Sequence, residues 1–280
     1  MWSIGIYAGE SPFCLTAPGN ITNPIMTRDQ VTDARAEFVA DPFMLRRQGV
    51  WFMFFEVMNR ETRKGEIGLA TSECGFVWQY QQIVLVEPFH LSYPYVFKWD
   101  NEFYMIPETL APGAIRLYRA NPFPSRWTVV GDLFKTPAAD PSIFRFQDRW
   151  WMFTCSNPFG HDVLRLYFAE SLPGPWREHP ASPLLEGDKQ RARPAGRVLT
   201  GGDNVIRFAQ DCVNSYGNQV RAFTVSELTP ASYAEHEHEL GPILKASGDG
   251  WNELGMHHVD AHQQTNGSWL ACVDGLGKVD

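Results

Sequence analysis

Asp41 and Asp140 hold the same place in two copies of one pattern: Ala40-Asp41-Pro42-Phe43-Met44 returns as Ala139-Asp140-Pro141-Ser142-Ile143. Two carboxyl groups in one cleft, one ionised and one kept protonated, are what cleavage of a glycosidic bond requires. A separation of about 5 Å leads to retention and about 6.5–9.5 Å to inversion. Asp before Pro at a strand start also caps turns by accepting backbone N–H groups. Two such pairs in register within a repeat favour a shared site.

The elements that must position these acids are strand pairs. Residues 41–45, a turn at 46–49 and the aromatic run 50–56 form the first pair; 140–146, 147–149 and 150–154 form another. A third, lacking only the opening acid, joins 92–97 to 102–108, and two weaker versions follow at 193–211 and 257–274. Units opening at Asp41, Tyr93, Asp140, Arg193 and His257 are spaced by 52, 47, 53 and 64 residues, the size of a four-stranded propeller blade. Third strands are legible at 65–70, 114–119, 163–168 and 219–224, and Trp78, Trp127 and Trp176 lead into fourth strands. The expected fold is all-β, one five-bladed β-propeller over residues 1–280, with residues 2–7 as a strand that completes the last blade. The 23 glycines and 20 prolines fall between short apolar runs, as turns do between strands. Residues 230–239 read either as a short polar helix capped by Thr229 or as a solvated loop.

Composition narrows the function. With 24 basic and 32 acidic residues the net charge is −8, leaving no source of phosphate-neutralising contacts along a nucleic acid. No apolar run approaches the roughly 20 residues of a membrane span, and residues 1–7 lack a basic, apolar leader pattern, so a soluble chain is expected. Cys14, Cys74, Cys155, Cys212 and Cys272 are odd in number and far apart, which suits reduced thiols in a cytoplasm. There is no P-loop, GxGxxG, GxSxG or HExxH, so nucleotide-cradle, serine-hydrolase and zincin readings have no support.

In a blade the innermost strand lines the channel and the second returns antiparallel to it. The start of strand one and the end of strand two therefore share a mouth. Asp41, Tyr93, Asp140, Arg193 and His257 or His258 should meet Glu56, Glu108, Ser156, Asp211 and Asp274 there. Carboxylates beside Phe43, Tyr93, Tyr95 and Trp51 suit a sugar, whose hydroxyls need acceptors and whose C–H face needs an aromatic ring. Glu56 and Glu108 read equally as ligand contacts or as a solvated rim, and His90 as a funnel residue or a turn histidine. His258-x-Asp260-x-His262 sets three ligand types on one strand face, a poor tetrahedral cage by itself. No protein-ligated metal or cofactor is expected, although a channel cation has room.

Five stretches carry a family resemblance: 39–43, His90-Leu91-Ser92-Tyr93-Pro94-Tyr95-Val96-Phe97, Met105-Ile106-Pro107-Glu108, Arg193-Pro194-Ala195-Gly196 and Ala209-Gln210-Asp211-Cys212. They resemble the N-terminal domain of plant glucosamine inositolphosphorylceramide transferase and its bacterial relatives, over nearly the whole chain. That domain is similar to the five-bladed propellers of glycoside hydrolase family 43. The family 43 pattern implies an Asp base opening blade one, an Asp that tunes pKa opening blade three and a Glu acid opening blade four. Asp41 and Asp140 match the first two positions. Blade four departs from the pattern, because Arg193 stands there with no Glu between 191 and 201. A fixed positive charge suits a ligand carboxylate or phosphate rather than proton donation.

Three functions follow. The first is a glycosidase or transglycosidase with Asp41 as base or nucleophile, Asp140 as orienter, and Glu108 or Glu56 as acid. His90, Tyr93, Arg193, Asp211, His257, His258 and Trp51 would then bind the sugar or glycoconjugate. The second is a glycan-binding module serving a partner glycosyltransferase, since the resemblance attributes transfer to a separate domain. The third is a propeller recruited to other biosynthetic chemistry.

Overall fold

The computed structural model describes residues 1–278, and its regular structure is strand apart from two single-turn 3-10 helices, Arg28–Gln30 and Gly250–Asn252. The N-terminal strands β1 (Trp2–Ser11) and β2 (Cys14–Thr16) stand apart in sequence from the blade they join. Blade one follows with β3 (Ala36–Arg47), β4 (Val50–Asn59), β5 (Lys64–Ser72) and β6 (Gln79–Leu85). Blade two holds β7 (Ser92–Trp99), β8 (Glu102–Glu108), β9 (Ile115–Ala120) and β10 (Trp127–Phe134). Blade three holds β11 (Ala139–Phe146), β12 (Arg149–Cys155), β13 (Val163–Ala169) and two short outer pieces, β14 (Arg177–Glu178) and β15 (Leu185–Glu186). In blade four the inner strand is broken into β16 (Arg193–Pro194) and β17 (Leu199–Gly201), followed by β18 (Asn204–Asp211), β19 (Gln219–Leu228) and β20 (Tyr233–Lys245). Blade five ends the chain with β21 (Val259–Gln263) and β22 (Trp269–Leu276), and its sheet order is β2-β1-β22-β21.

The ring closes as expected. β1 runs antiparallel to β22 from the pair Trp2↔Leu276 to the pair Gly9↔Trp269, so the N-terminal strand completes the last blade and covers the outer edge of β22. The second strands are apolar along their length because neighbouring blades cover both faces. Ile4 and Ile6 of blade five meet Met44, Met53 and Phe55 of blade one. Trp151 and Phe153 of blade three meet Val205 and Val225 of blade four. Phe208 and Val220 of blade four meet Val259 and Val273 of blade five.

Residues 230–239 are neither a helix nor, for the most part, a loop. Residues 230–232 turn, and 233–239 lie in β20, the outermost strand of blade four, paired with β19. The alternating Glu235-His236-Glu237-His238 pattern has the period of a strand, and β19 supplies the partner that a local reading leaves out. Thr229 caps a tight turn instead, its Oγ1 accepting the N–H groups of Ala231 and Ser232.

One local device is repeated three times. Pairing skips one residue between Ala40↔Glu56 and Phe43↔Phe54, between Ser92↔Glu108 and Tyr95↔Ile106, and between Ala139↔Cys155 and Ser142↔Phe153. Each skip is a β-bulge whose first residue, Asp41, Tyr93 or Asp140, has φ of 52°, 48° or 52°. Proline follows every time, a residue that has no N–H to lose from the ladder. Bulges re-aim a side chain, and non-glycine residues keep such a backbone only where their surroundings over-determine it.

Candidate functional site

The surroundings that fix the three bulges are carboxylates from the neighbouring blade. Asp274 Oδ2 accepts the Asp41 N–H at 3.0 Å, Asp41 Oδ2 accepts the Tyr93 N–H at 3.2 Å, and Glu108 Oε2 accepts the Asp140 N–H at 3.1 Å. The acids are thereby held at one end of the channel, here called the upper mouth. Asp41, Glu56, Glu108, Asp140 and Asp274 are all at most 6% exposed. Of these acids Glu108 lines a cavity of about 480 Å³, together with His90, Arg193, His161, Tyr216 and the apolar rim of Leu110 and Phe159.

The acids differ in charge state because their partners differ. Burial pushes Asp41 up to about 7; His257 opposes this, while Asp140 and Asp274 add to it. Glu108 is pushed up to about 8, first by burial and then by Asp140, against the pull of Arg193. Glu56 is raised well above the carboxylate range by burial and by Asp41 and Glu108. Asp274 is lowered instead: its burial is outweighed by His257, whose Nδ1 lies 2.7 Å from Asp274 Oδ1. The same pairing raises His257 against its own burial. Trp2 stacks on the His257 ring at 4.0 Å, so the closing strand also covers the site.

Arg193 does not wait for a ligand anion. Its Nε donates to Asp140 Oδ2 at 2.6 Å, and Nη1 donates to the Pro158 carbonyl at 2.9 Å and meets His161 Nδ1 at 2.8 Å. Nη2 reaches Asp140 Oδ1 at 3.5 Å and lies 3.6 Å from Glu108 Oε2. Gln210 Nε2 adds a donor to Asp140 at 2.8 Å. The guanidinium therefore clamps Asp140 and leans on Glu108, with Tyr216 lying 5.0 Å over its other side.

His90 is a funnel residue. Its Nδ1 accepts the Gly65 N–H at 2.9 Å, which leaves the proton of the neutral ring on Nε2, 3.3 Å from Glu56 Oε1. Burial lowers the pKa of His90, which keeps the ring neutral. Gly65 permits this contact, because a Cβ there would lie 2.1 Å from the Leu91 carbonyl and 2.9 Å from His90 Cε1.

Four expected contacts fall elsewhere. The Tyr93 ring turns inward beneath the mouth, fully buried, with its hydroxyl 2.7 Å from Ser142 Oγ and 2.6 Å from the Gly196 N–H that donates to it. Gly196, at φ 125°, has no room for a Cβ, which would lie 1.8 Å from the Val259 carbonyl. Trp51 opens β4 and so sits at the opposite end from Glu56, edge-on to His262 at 5.5 Å. Asp211 turns away to Gln190, Gln219 and Arg221, because Gln210 is the residue that pairs with Arg193 and faces the channel. Ser156 is held by Arg165 Nε at 3.0 Å. The sequence reading missed His161, Gln210, Tyr216 and Trp2. Tyr216, a 41% exposed aromatic in a turn-rich stretch, was the most legible of them.

Asp41, His257 and Asp274 each offer a ligand atom within 4.8 Å of the others. Beside them His258 is completely buried with neither ring nitrogen hydrogen-bonded, and burial lowers its pKa to about 4. An orphaned neutral imidazole next to two carboxylates fits a cation or a bound water in the channel.

Comparison with known proteins places this geometry in context. A family model described as "Glucosamine inositolphosphorylceramide transferase 1, N-terminal" matches residues 1–276. Glucosamine inositolphosphorylceramide transferase 1 of Oryza sativa subsp. japonica is 36% identical over 98% of the chain, which spans 40% of that relative. Among solved structures, the catalytic domain of Coprinopsis cinerea GH62 α-L-arabinofuranosidase superposes with a TM-score of 0.63 at 12% identity, covering 86% of this chain and 92% of the other. A Cellvibrio cellulosa α-L-arabinanase mutant gives 0.59 at 18% identity, covering 86% and 87%. These structural likenesses establish a shared fold.

Proposed function

We propose, for a chain that belongs to the family of glucosamine inositolphosphorylceramide transferase 1 N-terminal domains, that the upper mouth binds a glycan and cleaves or transfers a glycosidic bond. The observation that carries this reading is the cluster of buried carboxyls at one mouth, of which Asp41 and Glu108 are both raised toward neutrality by burial. At neutral pH Glu108, near 8, is mostly protonated and suited to donate to a leaving oxygen, while Asp41, near 7, is partly ionised and suited to act as base or nucleophile. Asp140, locked by Arg193 and Gln210, orients Glu108 through its own N–H. Glu56 with His90 forms the side of the funnel. Arg193 acts within this reading as an internal counter-charge, so the blade-four Glu that the related hydrolases use has its counterpart in Glu108 from blade two.

A second reading is favoured by one observation: the Asp140–Arg193 clamp consumes the position where those hydrolases keep their acid. The funnel would then hold a glycan without chemistry and present it to a glycosyltransferase; the chain spans about two fifths of the length of the curated relatives it matches. A cation held near His258 belongs to either reading as a structural brace of the channel. The exposed free thiols Cys14 and Cys74 accord with a reducing compartment.

Mass-spectrometric product analysis of wild type, Asp41→Asn and Glu108→Gln against a panel of glycosides and oligosaccharides, glucosamine- and uronate-containing members included, separates the readings. Cleavage or transfer that disappears in both variants supports the first. Saturable binding of an intact glycan without product from any of the three supports the second and removes the first.

A further inference from the structure

At the other end of the channel lies a cavity of about 410 Å³, formed where the inner strands of blades two to five terminate. Its walls carry Lys98, Arg145 and Arg197 and no carboxylate, in a chain whose acids outnumber its bases by 32 to 24. Arg197 forms the floor. Its Nε is paired with Asp260 behind it, Nη2 donates to the Val96 carbonyl at 2.9 Å, and its guanidinium lies 4.9 Å over the Tyr95 ring. Lys98 is exposed near the end of β7 and pairs with no carboxylate among the described residues. Among the described residues the one carboxylate paired with Arg145 is Asp148, 94% exposed at its side chain, a contact that solvent screens.

The aromatic wall has free polar edges. The indole N–H groups of Trp78, Trp127, Trp151 and Trp176 each donate to a backbone carbonyl. Those of Trp99, Trp150 and Trp269, which line this cavity, donate to no protein atom among the described residues. Trp99 stands edge-on to Trp150 at 5.1 Å, and the Arg145 guanidinium lies 4.5 Å over Trp99. Indole faces suit the C–H side of a pyranose, their N–H groups suit hydroxyls, and Lys98 with Arg145, whose one carboxylate contact is solvent-screened, suits an anion.

The geometry points to a second ligand site at this lower mouth, one that takes a sugar bearing a compact anionic group, phosphate or carboxylate. The anion sits between Lys98 and Arg145 above the Arg197 floor, and the ring lies against the partly exposed Trp99 and Trp269. Nothing in this assignment depends on chemistry at the upper mouth.

Calorimetric titration of the full chain with glucose 6-phosphate, glucuronate and glucose tests it, using a Lys98→Ala/Arg145→Ala double variant whose altered side chains are exposed. At least one charged sugar is expected to bind about tenfold or more tighter than glucose, and to weaken as salt screens the cations. The phosphate and carboxylate arms identify which anion is read. Affinity should drop about tenfold or more in the double variant and persist in Glu108→Gln. The assignment is overturned if neither charged sugar saturates by roughly 10 mM, if the double variant binds like wild type, or if Glu108→Gln abolishes binding.

Discussion

The two ends of one channel treat buried acids in opposite ways. At the upper mouth Asp41, fully desolvated, is pushed up to about 7, whereas at the lower mouth Asp260, equally buried, is held below the usual carboxylate range. Burial is the largest influence on both. The difference lies in the supply of cations: Asp260 has Arg197 and His262 to itself, whereas Asp41 shares His257 and a more distant Arg193 with Asp140, Asp274, Glu56 and Glu108. The ratio of acids to cations, rather than depth, decides which end is poised for proton transfer and which is a fixed ion pair.

The largest expected effect comes from removing the poised pair. Asp41→Asn and Glu108→Gln should each lower turnover by about a hundred- to ten-thousand-fold with the fold retained, while Trp51→Phe, at the far end, should stay within about twofold. Near-wild-type rates in either funnel variant would cancel that residue's role.

At the lower mouth the ion pair is structural. Asp260→Asn leaves a buried guanidinium unpaired and should cost about 3–5 kcal/mol at pH 7 in urea denaturation. Because the folded pKa of Asp260 is depressed, its contribution is complete above the unfolded value of about 3.9 and fades as pH falls below it. The gap between wild type and variant should narrow in acid. A gap independent of pH would mean that lost packing, not charge, causes the destabilisation.

The pH–rate profile should be narrow. The proposed mechanism requires Asp41 ionised, so activity would fall below about 7, and Glu108 protonated, so it would fall above about 8. In Glu108→Gln any residual activity should lose its alkaline limb; persistence of that limb would assign it to another group, with Glu56 first in line.

The smallest effect concerns stability. The folded pKa of Glu108 is raised, so its ionised form carries a penalty that begins above the unfolded value of about 4.3 and is complete above about 8. Gln can still accept the Asp140 N–H, so Glu108→Gln should melt a few degrees higher than wild type at pH 9 and nearly the same at pH 5. A lower melting temperature at pH 9 would place the ionised carboxylate among the stabilising partners of Arg193.

The fold and much of the upper mouth were legible because repeats report register. The Asp-Pro pairs at 41 and 140, and Tyr93-Pro94 between them, mark the three bulges and therefore the mouth. What escaped is which way a marked residue points. Tyr93 has the same kind of bulge as Asp41 and Asp140, but its ring turns inward because Gly196 of blade four, across the channel, supplies the partner for its hydroxyl. Asp211 and Gln210 are adjacent, and only one of two neighbours on a strand can face the channel; the broken inner strand of blade four hides which one. Trp51 was misjudged although direction alone decides it: a second strand that ends at Glu56 in the upper mouth must begin in the lower. The Arg193–Asp140 clamp joins residues 53 positions apart in different blades, so an apparent anion receptor became an internal counter-charge only in three dimensions.

The central claim is that two upper-mouth carboxyls titrate near neutrality while the lower-mouth acid does not. Carboxyl 13C NMR of Asp- and Glu-labelled protein across pH 4–9, with Asp41→Asn, Glu108→Gln and Asp260→Asn for assignment, tests it without requiring a substrate. Midpoints near 7 for Asp41 and near 8 for Glu108, with Asp260 ionised throughout, are predicted. Ordinary carboxylate midpoints for both Asp41 and Glu108 would contradict the account.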